Sequence, residues 1–447
     1  MFPDRRTLAT LLATGLAGAA LLAPGAAAGA GPVTIAIEAG APEVVFHDLA
    51  GDGWSAGDVV TYTGAFVADD GRSGRVSGEL HAVAMPGDDS VAHHHAGLGL
   101  FDFGDGDSIV VAGASPMADP EGAVAAGAET VGAIVGGTGA YVGARGEIRT
   151  TGTADGSVRH LLSLAMDPAT TETVTVGIPV AANVLTQLVG PEGYGVGDLR
   201  SWHSAALTED GDPASVYGIQ HVTRSLSGDG REAEVFGTVI VALNETDRIV
   251  GIAASPVVVE GESARAVPPF VNAVIGGTGA FAGVSGSYAF SRSDDGVMSL
   301  ALSLTRPETA LPERTLTIHS ALVPEAVEVD AGAAGDSRGD SYVWETPFTA
   351  EDGPGGMIRG YVATLDVPSG DDPGTEVAGL SVLTFEDGST VVVADFHVED
   401  VAPEVIIIPE VRRAVIGGTG AYAGVAGELV TVLGADGDLV HTLTLRG

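Results

Sequence analysis

The sequence predicts an all-β protein built from three tandem, closed, antiparallel β-barrels of about eight strands each. Three observations carry that expectation. The stretch Ala133-Ile134-Val135-Gly136-Gly137-Thr138-Gly139-Ala140-Tyr141 recurs from Ala273 to Phe281 and from Ala414 to Tyr422, its first glycines 140 and 141 residues apart. A period of that length is a whole domain, not a solenoid unit. Between the motifs, apolar residues come in short alternating runs broken by Gly, Asp and Pro, the pattern of strands and turns, with no sustained helical period.

In chain order, the first segment is an export signal, residues 1–28. Arg5-Arg6 precedes an apolar run from Leu8 to about Ala23 and the small residues Gly25-Ala26-Ala27-Ala28. The paired arginines match the twin-arginine route in part. Secretion or another extracytoplasmic location follows as the expectation. The run is short and rich in Gly and Ala for a membrane span, so the mature chain is expected not to insert. The three barrels are assigned to residues 32–168, 171–306 and 312–447. Each opens on a similar strand, at Val33-Thr34-Ile35-Ala36-Ile37, Val174-Thr175-Val176 and Leu316-Thr317-Ile318.

Further landmarks recur. Gly57-Asp58, Gly197-Asp198 and Gly339-Asp340 lie 79, 79 and 78 residues before the glycine motif. Four residues beyond each Asp stands a large aromatic: Tyr62, Trp202 and Trp344. The pairs Asp70-Gly71, Asp210-Gly211 and Asp352-Gly353 then signal hairpins, because Gly accepts positive φ. A closing strand follows each glycine motif, as at His160-Leu161-Leu162-Ser163-Leu164. About eight strands joined by short turns suit a closed barrel, which leaves no sheet edges. Within the motif, three glycines let the chain turn and approach a neighbour, and the aromatic covers the corner. Against the competing reading, a dinucleotide fingerprint, the spacing is a residue too long and no helix follows.

Composition narrows the partners. Acidic residues outnumber basic ones 59 to 20, for a net charge of −39, which argues against nucleic acid and anionic membranes. The chain has no cysteine, so disulfides and thiolate metal sites are excluded. His93-His94-His95 invites a metal reading, but adjacent side chains diverge and the cluster has no counterpart in the other repeats. The acidic Gly-rich turns lack EF-hand spacing. No metal and no cofactor is assigned.

The Ile-Val-Gly-Gly-Thr-Gly-aromatic segment followed by Ala144-Arg145-Gly146, with Phe46-His47-Asp48-Leu49 upstream, resembles dirigent proteins, which share the allene oxide cyclase barrel. The resemblance covers each repeat nearly end to end. It implies an eight-stranded barrel with an apolar cavity, often homotrimeric, working without metal or nucleotide. It further implies a function: binding an apolar, oxygenated small molecule and directing its coupling or ring closure. Any enzyme activity would be a cofactor-free isomerase or cyclase type, or stereocontrol. Asp48 matches the family's strand-one aspartate, an acid toward quinone methides, and Arg145 its Ala-Arg-Gly arginine, an anion partner. A carboxyl group facing an apolar cavity would hold its proton more tightly, as an acid must. The alternative roles are a turn cap for Asp48 and an ion pair for Arg145.

Tyr62, His81 and Tyr141 are the candidate ligand contacts. His81 and His221 occupy matched strand positions, and whether they face a cavity is left open. Repeat two has Leu188 and Ser285 in place of Asp48 and Arg145, and repeat three has Asp330 and Ala426. Repeat one is therefore the expected active barrel. Two other function classes fit the sequence: a non-catalytic carrier of hydrophobic ligands, and a structural cell-surface repeat protein with filled barrels. The three copies fit an intramolecular pseudo-trimer or beads on a string.

Overall fold

The first repeat closes on itself. A computed structural model describes residues 33–447 apart from 50–52, 85–92, 118–123, 167–168, 179–184, 190–194, 228–230, 261–262, 268–269, 293–297, 308–311, 323–324, 331–336, 367–373, 403–404 and 408–409. The expected signal segment, residues 1–28, lies outside the described residues. Repeat one comprises β1 (Val33–Ala39), β2 (Glu43–His47), β3 (Val59–Ala68), β4 (Ser73–Ala84), β5 (His93–Gly104), β6 (Asp107–Met117), β7 (Glu129–Thr138), β8 (Ala144–Gly152) and β9 (Val158–Met166). Pairing runs β1–β9–β8–β7–β6–β5–β4–β3, and β1 pairs again with β3, so eight antiparallel strands close a barrel. The short β2 lies outside the ring against β3. Strands from Ala169 to Pro307 and from Glu313 to Arg446 build two further barrels of the same order, each with one extra short strand. No helix among the described residues is long and apolar enough to cross a membrane.

Alternation decides which side chains fill the interior. Ile35 and Ile37 of β1 face inward with Leu162 and Leu164 of β9, around Phe66, Phe101 and Phe103. The Gly-Asp landmarks start the third strand of each ring. Gly57 has φ of +98°, and Asp58, fully buried, accepts hydrogen bonds from the backbone N–H groups of Leu49 and Ser55 at 2.9 and 2.6 Å.

The glycine motif is where the barrels meet. A Cβ on Gly136 would lie 3.2 Å from Ile275 of the second barrel, one on Gly276 2.9 Å from Ile416 of the third, and one on Gly417 2.8 Å from Val135 of the first. The first glycine of each motif is therefore bare so that a neighbouring barrel can seat an aliphatic side chain on it. The third glycine has a different reason, φ of +57 to +62° in a short 3-10 turn, which L-residues rarely adopt. The contacts run in a ring, and acids of the first and third barrels hold two of the turns. Glu147 accepts from the Gly420 N–H at 2.5 Å, and Glu428 from the Gly279 N–H at 2.7 Å.

A single buried cluster joins the outer faces of all three barrels. It includes Leu98, Val110 and Val135 of the first, Phe236, Ile252 and Ile275 of the second, and Tyr361, Leu380 and Ile416 of the third. The three barrels thus share one core between them and carry separate cores inside.

Candidate functional site

Strand register assigns the inward positions and lets the three interiors be compared slot by slot. In the first barrel, Tyr62, Gly78, Gly99 and Val111 are successive cross-strand partners, and Val60, Leu80, Gly97 and Gly113 form the next row. Gly132 continues that row, paired with Ile148. Tyr62 lies flat over the glycines: a Cβ on Gly78 or Gly99 would come within 2.4 or 2.5 Å of its hydroxyl. Burial, then the charge of Glu79, raises the Tyr62 pKa, so the phenol stays protonated.

The equivalent slots of the second barrel are occupied. Trp202 covers Gly218, and Val239, Ala253, Asn272 and Tyr288 stand where the first barrel has Gly99, Gly113, Gly132 and Ile148. Among the polar groups there, Arg200 and the Trp202 indole donate to Gln220 at 3.0 and 3.3 Å, and Asn272 donates to Ser255 at 3.1 Å, whereas the Tyr288 hydroxyl is buried without a hydrogen-bond partner. Trp202, Gln220, Ala253, Asn272 and Tyr288 are all buried.

The third barrel is filled by a polar lattice. Ser381, Asp395 and Arg413 take the slots of Gly99, Gly113 and Gly132. Ser381 donates to Asp395 at 2.5 Å, Arg413 forms an ion pair with Asp395, and Arg413 donates to Thr431 at 2.8 Å. Thr431 bonds His441 Nδ1 at 2.9 Å, and Ser320 bonds His441 Nε2 at 2.9 Å. Burial is the largest influence on Asp395, opposing its charge, but Arg413 and His397 overcome it and the carboxyl is held well below its usual range. Burial, then Arg413, lowers His441 to about 3.

The first barrel keeps only the Thr–His part of that lattice. Thr150 bonds His160 Nδ1 at 2.8 Å, but Ala39 replaces Ser320, and His160 Nε2 is buried with no hydrogen-bond partner. Burial lowers His160 to about 4, so the imidazole is neutral. Tyr62, Leu80, Val111, Gly113, Gly132 and Thr150 remain half-buried although they point inward. Phe46 and Trp54 meet tilted, with ring centroids 4.7 Å apart, and Trp54 lies 5.1 Å from the inward-facing His95.

The residues singled out by sequence are dispersed. Asp48 is exposed in the turn after β2, where it accepts from the Gly53 N–H at 2.9 Å. Asp330 is exposed as well, and the Leu188 side chain lies outside the described residues. Arg145 sits among the three glycine-motif strands. Its guanidinium donates to the Val135, Ile275 and Ile416 carbonyls, which are the same position in the three repeats, and to the Val284 carbonyl. The structure does not bring Asp48 and Arg145 together inside a barrel. Ser285 and Ala426 stand at Arg145's slot because one guanidinium already engages all three carbonyls.

Tyr141 is buried in the first barrel's closed end, over Phe103, and accepts from Arg72 at 2.6 Å. His81 faces away from the barrel interior, into the seam between barrels. There its ring stacks on Tyr361 at 3.5 Å and lies 5.4 Å from His221. His94 and His95 point to opposite sides of β5; the His93 side chain lies outside the described residues. Sequence reading missed the lattice of the third barrel, although Asp395 and His397 interrupt an otherwise apolar run. It also missed the inward glycines of the first barrel, Gly113 and Gly132 among them, which show only once register is known.

Comparison with known proteins adds little beyond this geometry. No protein-family model and no curated protein matches the chain. Among solved structures, pyocyanin demethylase is similar over 30% of this chain and 100% of its own, at 21% identity and a TM-score of 0.24.

Proposed function

We propose that this chain is an exported small-molecule-binding protein whose binding site is the interior of the first barrel, the second and third serving as its scaffold. One observation carries the reading: Gly113 and Gly132 leave two adjacent inward slots without side chains, where the other barrels hold Ala253 and Asn272 or Asp395 and Arg413, while the slot of Gly99 is covered by the Tyr62 ring. Small barrels are packed solid by side chains unless such positions are vacated. The walls left are mostly apolar, with the Tyr62 hydroxyl, Thr150, His95 and His160 Nε2 among the polar groups. They suit a flat apolar molecule with an oxygen or ring nitrogen able to hydrogen-bond.

Binding is proposed in preference to directed coupling or ring closure, because Asp48 is exposed in a turn and Arg145 is engaged with backbone carbonyls. Native mass spectrometry of protein purified from its producing organism tests the reading. Retained small molecule on the wild type, lost in Gly113→Met, is expected. An adduct that survives that change moves the site elsewhere, and a bare wild type favours a protein whose barrels all serve structure.

A further inference from the structure

The seam between the first and second barrels holds three chemically matched side chains that the small-molecule site does not use. Glu79 and His81 are two residues apart on β4, on the face turned away from the barrel interior. His221 comes from the second barrel's strand Pro213–Ser225. All three are 3% exposed. One donor atom from each lies within 4.8 Å of the others.

Two features set this group apart from an ordinary buried polar contact. His221 Nδ1 and Glu79 Oε2 are 2.7 Å apart, which accounts for one imidazole. Both ring nitrogens of His81 are buried without a hydrogen-bond partner. An unsatisfied buried imidazole is costly, and such groups call for a missing partner, most often a water or an ion. Apolar neighbours such as Val83 and Ala96 share the seam.

We propose that Glu79, His81 and His221 bind one divalent transition-metal ion, zinc foremost, which staples the first barrel to the second. Two imidazoles and a carboxylate are a borderline donor set that suits zinc and not magnesium or calcium. Donor atoms around a tetrahedral zinc with bonds of about 2.0–2.1 Å lie about 3.4 Å apart. The triad reaches that geometry when the Glu79–His221 contact opens slightly and His81 closes in. The third barrel supplies the outer partner: Tyr361 stacks on His81 and its hydroxyl hydrogen-bonds Glu79, fixing the carboxylate as outer-shell groups do. Ala363 occupies the slot of His81 and His221 in the third repeat, so the motif arises once, from the first two barrels.

The test uses the full mature chain, stripped with chelator and titrated with Co²⁺ and then Zn²⁺. Expected are the visible bands of tetrahedral cobalt saturating at one ion per chain, displaced by zinc, and a thermal midpoint raised by zinc. His81→Gln and His221→Gln, close to the native volume, each abolish the bands. Tyr361→Phe weakens binding about 10–100-fold. His94→Ala leaves the bands unchanged, which separates this site from the neighbouring histidine run. Absence of cobalt bands in the wild type, or bands that survive both glutamine variants, overturns the proposal. Because the readout is metal uptake alone, failure here leaves the first-barrel reading untouched, and failure there leaves this one.

Discussion

Replacing Arg145 with Met should uncouple the three barrels. The guanidinium donates to carbonyls of Val135, Ile275, Ile416 and Val284, so its loss leaves up to four backbone acceptors unpaired at the meeting of all three. A hydrogen bond to a charged group contributes about 1.5–3 kcal/mol, and water entering the gap offsets part of the loss. About 4 kcal/mol is therefore the expected cost. With a guanidinium-chloride slope of about 4 kcal/mol/M for one barrel, the midpoint falls by about 1 M.

The assay is built into the sequence, which has three tryptophans, one per barrel: Trp54, Trp202 and Trp344. Variants keeping one tryptophan each follow one barrel. Wild-type transitions should coincide, and the Arg145→Met transitions should separate and move down. A sharper check uses the threefold arrangement of the carbonyls. Ser285 holds Arg145's slot in the second repeat, so Ser285→Arg placed in an Arg145→Ser background should restore coincidence. Unchanged, coincident transitions in Arg145→Met would refute the clamp.

Three further outcomes follow from the interiors. His160 has its pKa lowered from 6.5 to about 4 by burial, so the unfolded chain binds the proton first and stability falls as pH drops from about 7 toward 4. By about pH 5 this group alone costs about 2 kcal/mol, and His160→Leu, the residue found at the equivalent Leu300, should flatten that part of the urea midpoint–pH curve. Arg413→Met takes the arginine from the buried Asp395 carboxylate and leaves it only Ser381 and His397, for a loss of about 3 kcal/mol, read from the Trp344 transition. Adding Asp395→Ala, the residue of the second barrel's slot, should recover most of that loss, and a double variant no better than the single would sink the account.

The fold was legible because its devices are local and repeat. Alternation, the Asp-Gly turns and the Gly-Asp starts each impose backbone geometry through one or two residues, and three copies at matched spacing make each visible. The interiors were not legible, since a one-residue error in register exchanges inside for outside. His81 shows the consequence: the same alternation places it inside or outside the barrel, and only pairing with Ala96 on the outer face decides. Arg145 failed for another reason. Its departure from Ser285 and Ala426 reads as loss of chemistry in two barrels when each repeat is taken alone. When the three carbonyls are seen to converge, the asymmetry becomes a stoichiometry, because the site they form accepts one guanidinium. A fused chain is free to break symmetry at a shared centre, whereas a homotrimer must place three identical side chains there. By that argument, residues that differ among the repeats and lie between barrels are the place to look for what this chain does as a whole, and those that differ inside a barrel for what that barrel holds.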